Sequence, residues 1–285
     1  MRFRAKIVDI ACIQHFTRVV STISKLCKTC TFRLTPGKIY FILSEQVANG
    51  GVSMWCELPQ ANFFDQFQME GVSAEDNEIY LELVPDNMSR ALKSAQAAKL
   101  VKIKLTKKHA ACLTFDIELP SLTNQSRTVV HDVPVNVIAR RLWGEYQEPA
   151  MPQFDVSVYL PALKTIKTVV EKMKNLSNFL VLSANRNGDM TLKVETDLAE
   201  VTTLFRELEI PSWSREEESG VSQSDRDTDE MAEARVDIRK FSQFLAGQQV
   251  NPDRIICNIV DGNILHFFVL HEDLSLQYFI PTVAI

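Results

Sequence analysis

DVSVYLPALKTIKTVVEKMKNLSNFLVLSANRNGDMTLKVE, residues 155–195, combines three patterns in one stretch. It opens with an alternating run, DVSVYL, and continues with apolar residues at helical spacing from about Pro161 to Leu176. It ends with the alternating runs FLVLSA and MTLKVE, placed on either side of Asn187-Gly188. Alternation predicts strands, a spacing of three and four predicts a helix, and Asn-Gly between alternating runs is a strong hairpin signal. The stretch therefore predicts a β-α-β-β unit.

The same order of elements occurs four times along the chain. The other helices are predicted at about Ile10 to Leu26, about Asp86 to Ala98, and Arg239 to Gly247. Each follows an alternating run (RFRAKIVD, EIYLELV or ARVDI) and precedes two more, joined at Pro36-Gly37, 107–109 or Asp261-Gly262. The strand-to-helix junctions recur about every 76 residues, and a fixed period of this size indicates duplication.

Two units make a domain, so the 285 residues predict two similar domains of an α+β fold with antiparallel sheets. We expect an N-terminal domain over 1–138, a connector over 139–155 that carries Pro149 and Pro152, and a C-terminal domain over 156–285. Residues 209–230 are acidic and poor in apolar side chains, which predicts a flexible insertion in the second domain.

Composition places the chain among globular proteins of the cell interior. The first residues lack the apolar core of a secretory signal, and no apolar run reaches the ~18 residues that a membrane span needs. Since thiols are kept reduced inside the cell, we expect the six cysteines to be mostly buried apolar residues. In Cys27-Lys28-Thr29-Cys30, the first thiol would lie at a helix C-terminus, whose dipole disfavours the thiolate of a redox motif.

Basic side chains concentrate on the predicted helices although the net charge of the chain is -5. Twelve of them lie on the faces opposite the apolar stripes or at the helix ends: Arg18, Lys25, Lys28, Arg90, Lys93, Lys99, Lys164, Lys167, Lys172, Lys174, Arg239 and Lys240. One basic helix face is usually a solvated surface, whereas four biased alike in an acidic chain predict a phosphate-binding surface. No aromatic residues interleave with these cations, which favours contact with the duplex backbone over reading of bases.

The repeat and its basic helices resemble the sliding DNA clamps, the proliferating cell nuclear antigen family. Within that family, MRFRAKIVD, KTCTFRLTP, ANGGVSMWCELPQANFFDQFQMEGVSAEDNEIYLEL, IRKFSQFLAGQQVNP and LHEDLSLQYFIP resemble the Hus-type subunits of the nine-one-one DNA-damage checkpoint clamp. The resemblance covers essentially the whole chain.

The resemblance implies a non-catalytic subunit without cofactor or metal. Two other, different clamp-like subunits would complete a heterotrimeric ring around double-stranded DNA, with the basic helices inside and the sheets outside. An ATP-driven clamp loader would open the ring, which would then activate checkpoint kinase signalling and serve as a platform for repair proteins. The expected location is the nucleus, with some protein in the cytoplasm.

The resemblance also implies two contact regions. Ring closure would use edge strands at Arg127 to Val137 and Gly188 to Leu198, with the interface residues Arg127, Val129, Val130, Val133, Val135, Val137, Met190, Leu192, Val194 and Thr196. A partner peptide would dock near the connector, at Trp143, Tyr146, Pro149, Tyr278, Ile280 and Pro281. An equally good interpretation is that Trp143 only pins the connector to the domain.

Three other functions stay open at this point. A homotrimeric replication clamp would share the fold, and an interaction scaffold could use the same sheets without touching DNA. His271-Glu272-Asp273 could serve a metal-dependent hydrolase, although a cluster between two predicted strands is more typical of a solvated turn. The rest of the chain offers no nucleophile elbow, phosphate loop or set of metal ligands.

Overall fold

The structure is a computed structural model that describes residues 1–44, 51–120, 127–212, 227–248, 250 and 252–283. Its contacts divide the chain into two compact units. The first consists of 1–44, 55–148 and 247–251, and the second of 45–54, 149–246 and 252–285. No helix in the described ranges is long and apolar enough to cross a membrane.

The first unit is a nine-stranded sheet with two helices. Its strands are β1 (Arg2–Ile7), β2 (Cys30–Leu34), β3 (Lys38–Ser44), β4 (Ser53–Pro59), β5 (Gln66–Glu70), β6 (Ile79–Leu83), β7 (Leu100–Lys107), β8 (Ala111–Leu119) and β9 (Arg127–Val137). Its helices are α1 (Ile10–Leu26) and α2 (Pro85–Lys93), with single 3-10 turns at Gln60–Asn62 and Arg140–Glu145. The strand order is β4-β3-β2-β6-β9-β8-β7-β1-β5.

The second unit holds the other two β-α-β-β copies. Its strands are β10 (Val156–Tyr159), β11 (Phe179–Ala184), β12 (Met190–Glu195), β13 (Glu200–Phe205), β14 (Ala232–Asp237), β15 (Arg254–Val260), β16 (Ile264–His271) and β17 (Leu274–Pro281). Its helices are α3 (Leu163–Met173) and α4 (Ile238–Gly247). The strands run in the orders β10-β15-β16-β17 and β13-β12-β11-β14. The predicted fourfold unit is therefore present in full.

Aromatic side chains fill the space between helices and sheets. In the first unit, the ring of Phe16 on α1 meets Phe63 and Phe64 edge-on, with centroids 5.8 and 5.3 Å apart. In the second, Phe244 on α4 stacks on Phe267 at 4.3 Å and on Tyr278 at 5.2 Å. Because truncating such a ring to alanine costs about 3–5 kcal/mol, these contacts fix which face of each helix turns away from the core.

Two of the predicted hairpin turns need glycine. Gly188, between β11 and β12, has φ +87°, and its missing Cβ would approach the Leu208 carbonyl oxygen to 2.3 Å. Gly262, between β15 and β16, has φ +64°. L-residues avoid this left-handed region, which explains why the turns read as Asn-Gly and Asp-Gly.

Helix ends differ from the predicted ones by a few residues. α2 ends at Lys93 instead of Ala98, with the Ser94 N–H donating to the Ala91 carbonyl at 3.2 Å as the chain turns. α3 starts two residues after Pro161 and ends at Met173 instead of Leu176. Both helices continue into turns, in which the Ala95 and Leu176 N–H groups donate to the Leu92 and Met173 carbonyls, so periodicity alone cannot set the last turn.

The predicted acidic insertion at 209–230 falls mainly outside the described residues, which omit 213–226. Its C-terminal flank contacts the turn after β11, because the Arg186 N–H donates to the Thr228 carbonyl at 3.2 Å and the Asn187 amide donates to Asp229. A deletion that tests the insertion should therefore keep these two flanking residues.

Candidate DNA-facing surface

The outer face of α1 is basic because its apolar residues fix the opposite face. Ile13, Phe16 and Ile23 have no exposed surface, so residues half a turn away point from the core. Arg18 and Lys25 occupy that side and are exposed. The first turn of the helix contains no acidic side chain, and the stripe is therefore cationic along its length.

α2 adds two more cations beside α1. Arg90 and Lys93 lie in its last turn, where positive charge interacts favourably with the helix dipole. Arg90 also forms an ion pair with Asp86 one turn earlier, with Nη2 2.7 Å from Oδ2. Lys93 is exposed, so it offers the less compensated charge of the two.

A groove of about 540 Å³ runs between α1 and α2. The hydroxyls of Ser21 and Ser89 lie 3.1 Å apart across it, and the Gln14 amide donates to the Gln96 carbonyl at 3.4 Å. The lining contains three cations and no carboxylate: Gln14, Thr17, Arg18, Ser21, Ser24, Lys25, Ser89, Lys93 and Gln96. A phosphate in this groove would meet cations and neutral donors without an acidic group to repel it.

The groove between α3 and α4, about 530 Å³, differs by one carboxylate. Glu171 accepts hydrogen bonds from Lys174 Nζ at 2.7 Å and from Ser242 Oγ at 2.8 Å. These bonds, with that from Lys174 the stronger influence, lower the pKa of Glu171 and keep it ionised at neutral pH. Lys174, predicted as a DNA-facing cation, is thus partly neutralised by its own helix.

The other predicted cations of the second unit are distributed around this groove. Lys164, Lys167 and Lys172 are exposed on α3. Arg239 is the second residue of α4, and its guanidinium donates to the Asn178 side chain at 3.2 Å, whereas Lys240 is half-buried. Long side chains with few fixed partners are suited to contacts with DNA phosphates. Such contacts do not read the base sequence.

Lys28 and Lys99, predicted at the helix ends, lie beyond the ends of α1 and α2. Lys28 follows Cys27, the C-terminal cap of α1, and Lys99 directly precedes β7. Both are exposed. They extend the basic surface of the first unit beyond the helix ends.

The prediction that 188–198 forms an edge strand is wrong. β12, which carries Met190, Leu192 and Val194, pairs with β11 on one side and with β13 on the other. All three side chains are buried, and Thr196 lies in the turn that follows. β13 is one of the two outer strands of this sheet, because it returns after the β11–β12 hairpin and pairs with the free side of β12.

β9 has an open side over part of its length. It pairs with β8 from Arg127 to Pro134, and it meets β6 on the opposite side only from Val135 to Val137. Along 127–134, therefore, no described strand covers the side that faces away from β8. Val130 is 53% exposed there and Val129 is half-buried, whereas Val133 and Val135 point into the core.

The predicted peptide pocket is wrong for its residues on β17. Tyr278 and Ile280 have no exposed surface, and Pro281 is buried as well. Alternation along β17 places Tyr278 and Ile280 on one face of the strand, and that face belongs to the core. Pro149 is half-buried and groups with the second unit.

Trp143 and Tyr146 lie over the sheet of the first unit. The Trp143 ring stacks on Tyr80 with centroids 4.5 Å apart, and its Nε1 donates to the Ile138 carbonyl at 3.1 Å. Arg33 continues the stack, 5.3 Å from the Tyr80 ring centre, and is held by two hydrogen bonds to Glu78 at 2.9 and 3.0 Å. The contacts of Trp143 thus pin the start of the connector. Arg33 and Glu78, which sequence reasoning missed, are separated by 45 residues and show no local signal.

Comparison with known proteins identifies the family. The family model described as "Hus1-like protein" matches residues 1–284. "Checkpoint protein HUS1" of Homo sapiens is 59% identical over 284 residues, with all of both chains covered. The chain belongs to the Hus1 family. "Checkpoint protein hus1" of Schizosaccharomyces pombe is a more distant relative of this Hus1-family chain, 28% identical over 96% of the chain and 94% of the relative.

Solved structures place this Hus1-family chain in the sliding-clamp fold. Proliferating cell nuclear antigen from Entamoeba histolytica has a TM-score of 0.70 at 14% identity, covering 99% of each chain. That from Thermococcus kodakaraensis has a TM-score of 0.66 at 16% identity, covering 98% of this chain and 99% of the other. The fold predicted from the repeat is confirmed.

Two clusters of residues in this Hus1-family chain, a cysteine pair and a histidine cluster, look like reactive sites when only the sequence is considered. Cys27 and Cys30 are both buried, and a hydrogen bond with Cys27, followed by burial, raises the pKa of the Cys30 thiol. His271 ends β16, and its Nδ1 accepts from the Asp273 N–H at 3.1 Å within the turn to β17. The thiol pair is therefore unsuited to nucleophilic chemistry, and the His271 cluster forms the predicted turn.

Proposed function

We propose that this chain is a non-catalytic subunit of a three-subunit ring that encircles duplex DNA at damage sites. The Hus1 family is a family of DNA-damage checkpoint clamp subunits, and the clamp fold supports the ring. The observation that carries the DNA contact is the α1–α2 groove, which presents Arg18, Lys25 and Lys93 without a carboxylate in a chain of net charge -5.

The basic helices would hold the duplex by its phosphates. Exposed Lys and Arg side chains on four short helices give many weak, flexible contacts and no bidentate match to a base edge. Such contacts let a ring slide along DNA of any sequence. Retention would come from closure of the ring, and the cations would guide threading and lower the repulsion between an acidic protein and DNA.

Ring closure would join strand edges between subunits. The open side of β9 along 127–134 and the outer strand β13 offer one such surface in each unit, because an exposed edge is a template for pairing. We propose two other, different clamp-like subunits as the neighbours. An ATP-driven clamp loader, checkpoint kinase signalling and repair proteins complete the proposed set of partners. The proposed location is the nucleus, with a cytoplasmic pool, which imaging of the tagged chain would test.

Purification from cells tests the assembly. The tagged chain should co-purify with two other chains in equal amounts, and native mass spectrometry should give one mass for a 1:1:1 complex. A homotrimer of this chain alone would contradict the proposal and support a replication-type clamp.

Charge reversal tests the DNA contact. Lys25→Glu with Lys93→Glu should reduce loading of the assembled ring on DNA by at least about tenfold, because two repulsive charges then face the phosphates. Lys107→Glu with Arg141→Glu changes the net charge equally at exposed positions away from the groove and is the matched control. Equal loading by both variants would count against the helix surface.

A further inference from the structure

The sheet of the first unit carries a second basic surface, on the side opposite its core. β1 and β7 pair in antiparallel register with Arg4 opposite Lys104 and Lys6 opposite Lys102. Directly opposed residues in such a pair lie on the same face of the sheet. These four residues are called the β1–β7 basic patch.

Burial shows which way the patch faces. Phe3, Ala5 and Ile103 alternate with the patch residues and are 2%, 4% and 2% exposed, so they form the core side. The patch residues occupy the other parity and are exposed or half-buried. The patch is therefore on the opposite side of the sheet from the core.

The patch is poorly compensated by the protein itself. Lys104 forms an ion pair with Asp116 at 2.8 Å, but within the described part of the chain Arg4, Lys6 and Lys102 form none. Like charges directly opposed across a strand pair destabilise the sheet. Asp116, which also faces Lys102 across β7 and β8, is the one carboxylate among the residues directly opposed to these four cations. The patch therefore keeps a surplus of positive charge that an external anion would compensate.

The borders of the patch favour a short anionic segment over a nucleic acid. Glu70 lies beside Arg2 at 3.7 Å on the β5 side, and Asp116 and Glu118 lie on β8 at the other side. A duplex carries phosphates in continuous rows and would set some of them against these carboxylates. A peptide with a few acidic residues fits between the borders, and an open groove of about 340 Å³ along β1 and β5 adjoins Arg4.

The spacing within the patch matches an extended chain. Arg4 and Lys6, like Lys102 and Lys104, are two residues apart on a strand, which separates their Cα atoms by about 6.7 Å. An extended peptide repeats its same-side residues at that distance. We propose that the β1–β7 basic patch binds an extended acidic segment of a partner protein, with carboxylates at alternate positions.

Fluorescence anisotropy with a dye-labelled eight-residue peptide of alternating Asp and Thr tests this on the full chain. Lys6→Glu with Lys102→Glu should weaken its binding by at least about tenfold, whereas Lys6→Arg with Lys102→Arg should keep it. An isomeric peptide with its four Asp residues in one block should bind more weakly than the alternating one. Thermal melting confirms that each variant is folded.

The helix variant Lys25→Glu with Lys93→Glu is the matched control, since it changes the net charge equally. It should bind the alternating peptide as the unchanged chain does and lose affinity for duplex DNA. The proposal is overturned if the patch variant binds the peptide normally. It is equally overturned if the patch variant loses duplex binding and keeps peptide binding, which would make the patch part of the nucleic-acid surface.

Discussion

His266 on β16 has no exposed surface and is enclosed by aromatic rings. Phe154 stacks on it with centroids 5.2 Å apart, and Phe279 lies at 4.4 Å. The Asn258 amide donates to its Nδ1 at 2.9 Å, which places the ring proton on Nε2. Burial without a nearby anion disfavours the imidazolium and lowers the pKa of His266 to about 4.

This histidine should make the second unit acid-sensitive. Because the folded-state pKa lies below the usual 6.5, the unfolded chain takes up the proton first as the pH falls. The free energy of unfolding should drop by about 3 kcal/mol between about pH 6.5 and pH 4, and it should be insensitive to this residue above pH 7. Urea unfolding at a series of pH values measures the slope.

Two substitutions isolate that contribution. His266→Phe should flatten the slope between pH 6.5 and 4, although it lowers stability at neutral pH by leaving Asn258 without its acceptor. His109→Gln removes a histidine from an exposed turn and is the matched control. An unaltered slope in His266→Phe would show that other groups cause the acid sensitivity.

Single residues also mark where sequence reasoning reaches its limit. The alternation of Leu274, Leu276, Tyr278 and Ile280 predicts the strand β17 and one buried face, and the structure has both. The alternation cannot show that Gln277 and Phe279, on the opposite face of the strand, are also buried. Burial of the second face comes from residues distant in sequence, which alternation along one strand does not reveal.

At the scale of elements, the opposed cations of β1 and β7 should limit the stability of the first unit. Lys6→Glu should raise the free energy of unfolding by roughly 0.2–1 kcal/mol, because the introduced carboxylate faces Lys102 across the strand pair. Lys6→Gln removes the repulsion without adding an attraction and should give a smaller gain. Urea unfolding at low salt measures both, and a loss of stability in Lys6→Glu would contradict the register argument.

The open strand edges lead to a prediction on assembly. Val130 on β9 and Leu204 on β13 are 53% and 45% exposed, and a charge at either position should oppose edge pairing. Val130→Glu and Leu204→Glu should each weaken ring assembly by at least about tenfold and change unfolding by no more than about 0.5 kcal/mol. Analytical ultracentrifugation with the partner subunits measures the assembly.

Val72→Glu is the matched control for these edge variants. Val72 is 51% exposed in a loop between β5 and β6 and lies on neither β9 nor β13. The Val72→Glu variant should assemble normally. If all three variants assemble alike, the two edges are not where the subunits meet.

Elements within each repeat were predictable, whereas their lateral order was not. The repeat of Ile13, Phe16 and Ile23 on α1 and the Asn187-Gly188 turn are local signals, and the structure has both elements as predicted. Which strand ends a sheet depends on where the chain returns after the hairpin. Only the pairing of β13 with β12 along Glu195 to Met190 shows that β13 takes the outer position.

At the scale of the whole molecule, opposite charges are segregated by surface. The chain is acidic overall, but the α1–α2 groove carries only cations among its charged residues, and the α3–α4 groove holds Glu171 beside Lys174 and Arg239. Contact with DNA should therefore depend more on the helices of the first unit. Reversing Lys25 and Lys93 should impair loading more than reversing Lys164 and Lys167, as measured by ring loading on DNA at physiological salt.

A closed ring and an ordinary DNA-binding surface differ most in their response to salt. Phosphate contacts alone would lose affinity with a log-log slope of roughly -0.9 per contact, so a protein held by several of them dissociates at high salt. A ring threaded on DNA is held by its own closure, and salt would weaken the contacts of Arg18, Lys25 and Lys93 without opening it.

The assembled complex, loaded on closed circular DNA, should stay bound in high salt and leave once the circle is cut, unless the ends are blocked. Pull-down of the DNA before and after cutting measures this, with end-blocked linear DNA as the control. Loss from intact circles in high salt, or equal retention on cut and intact DNA, would show that the chain does not act as part of a ring.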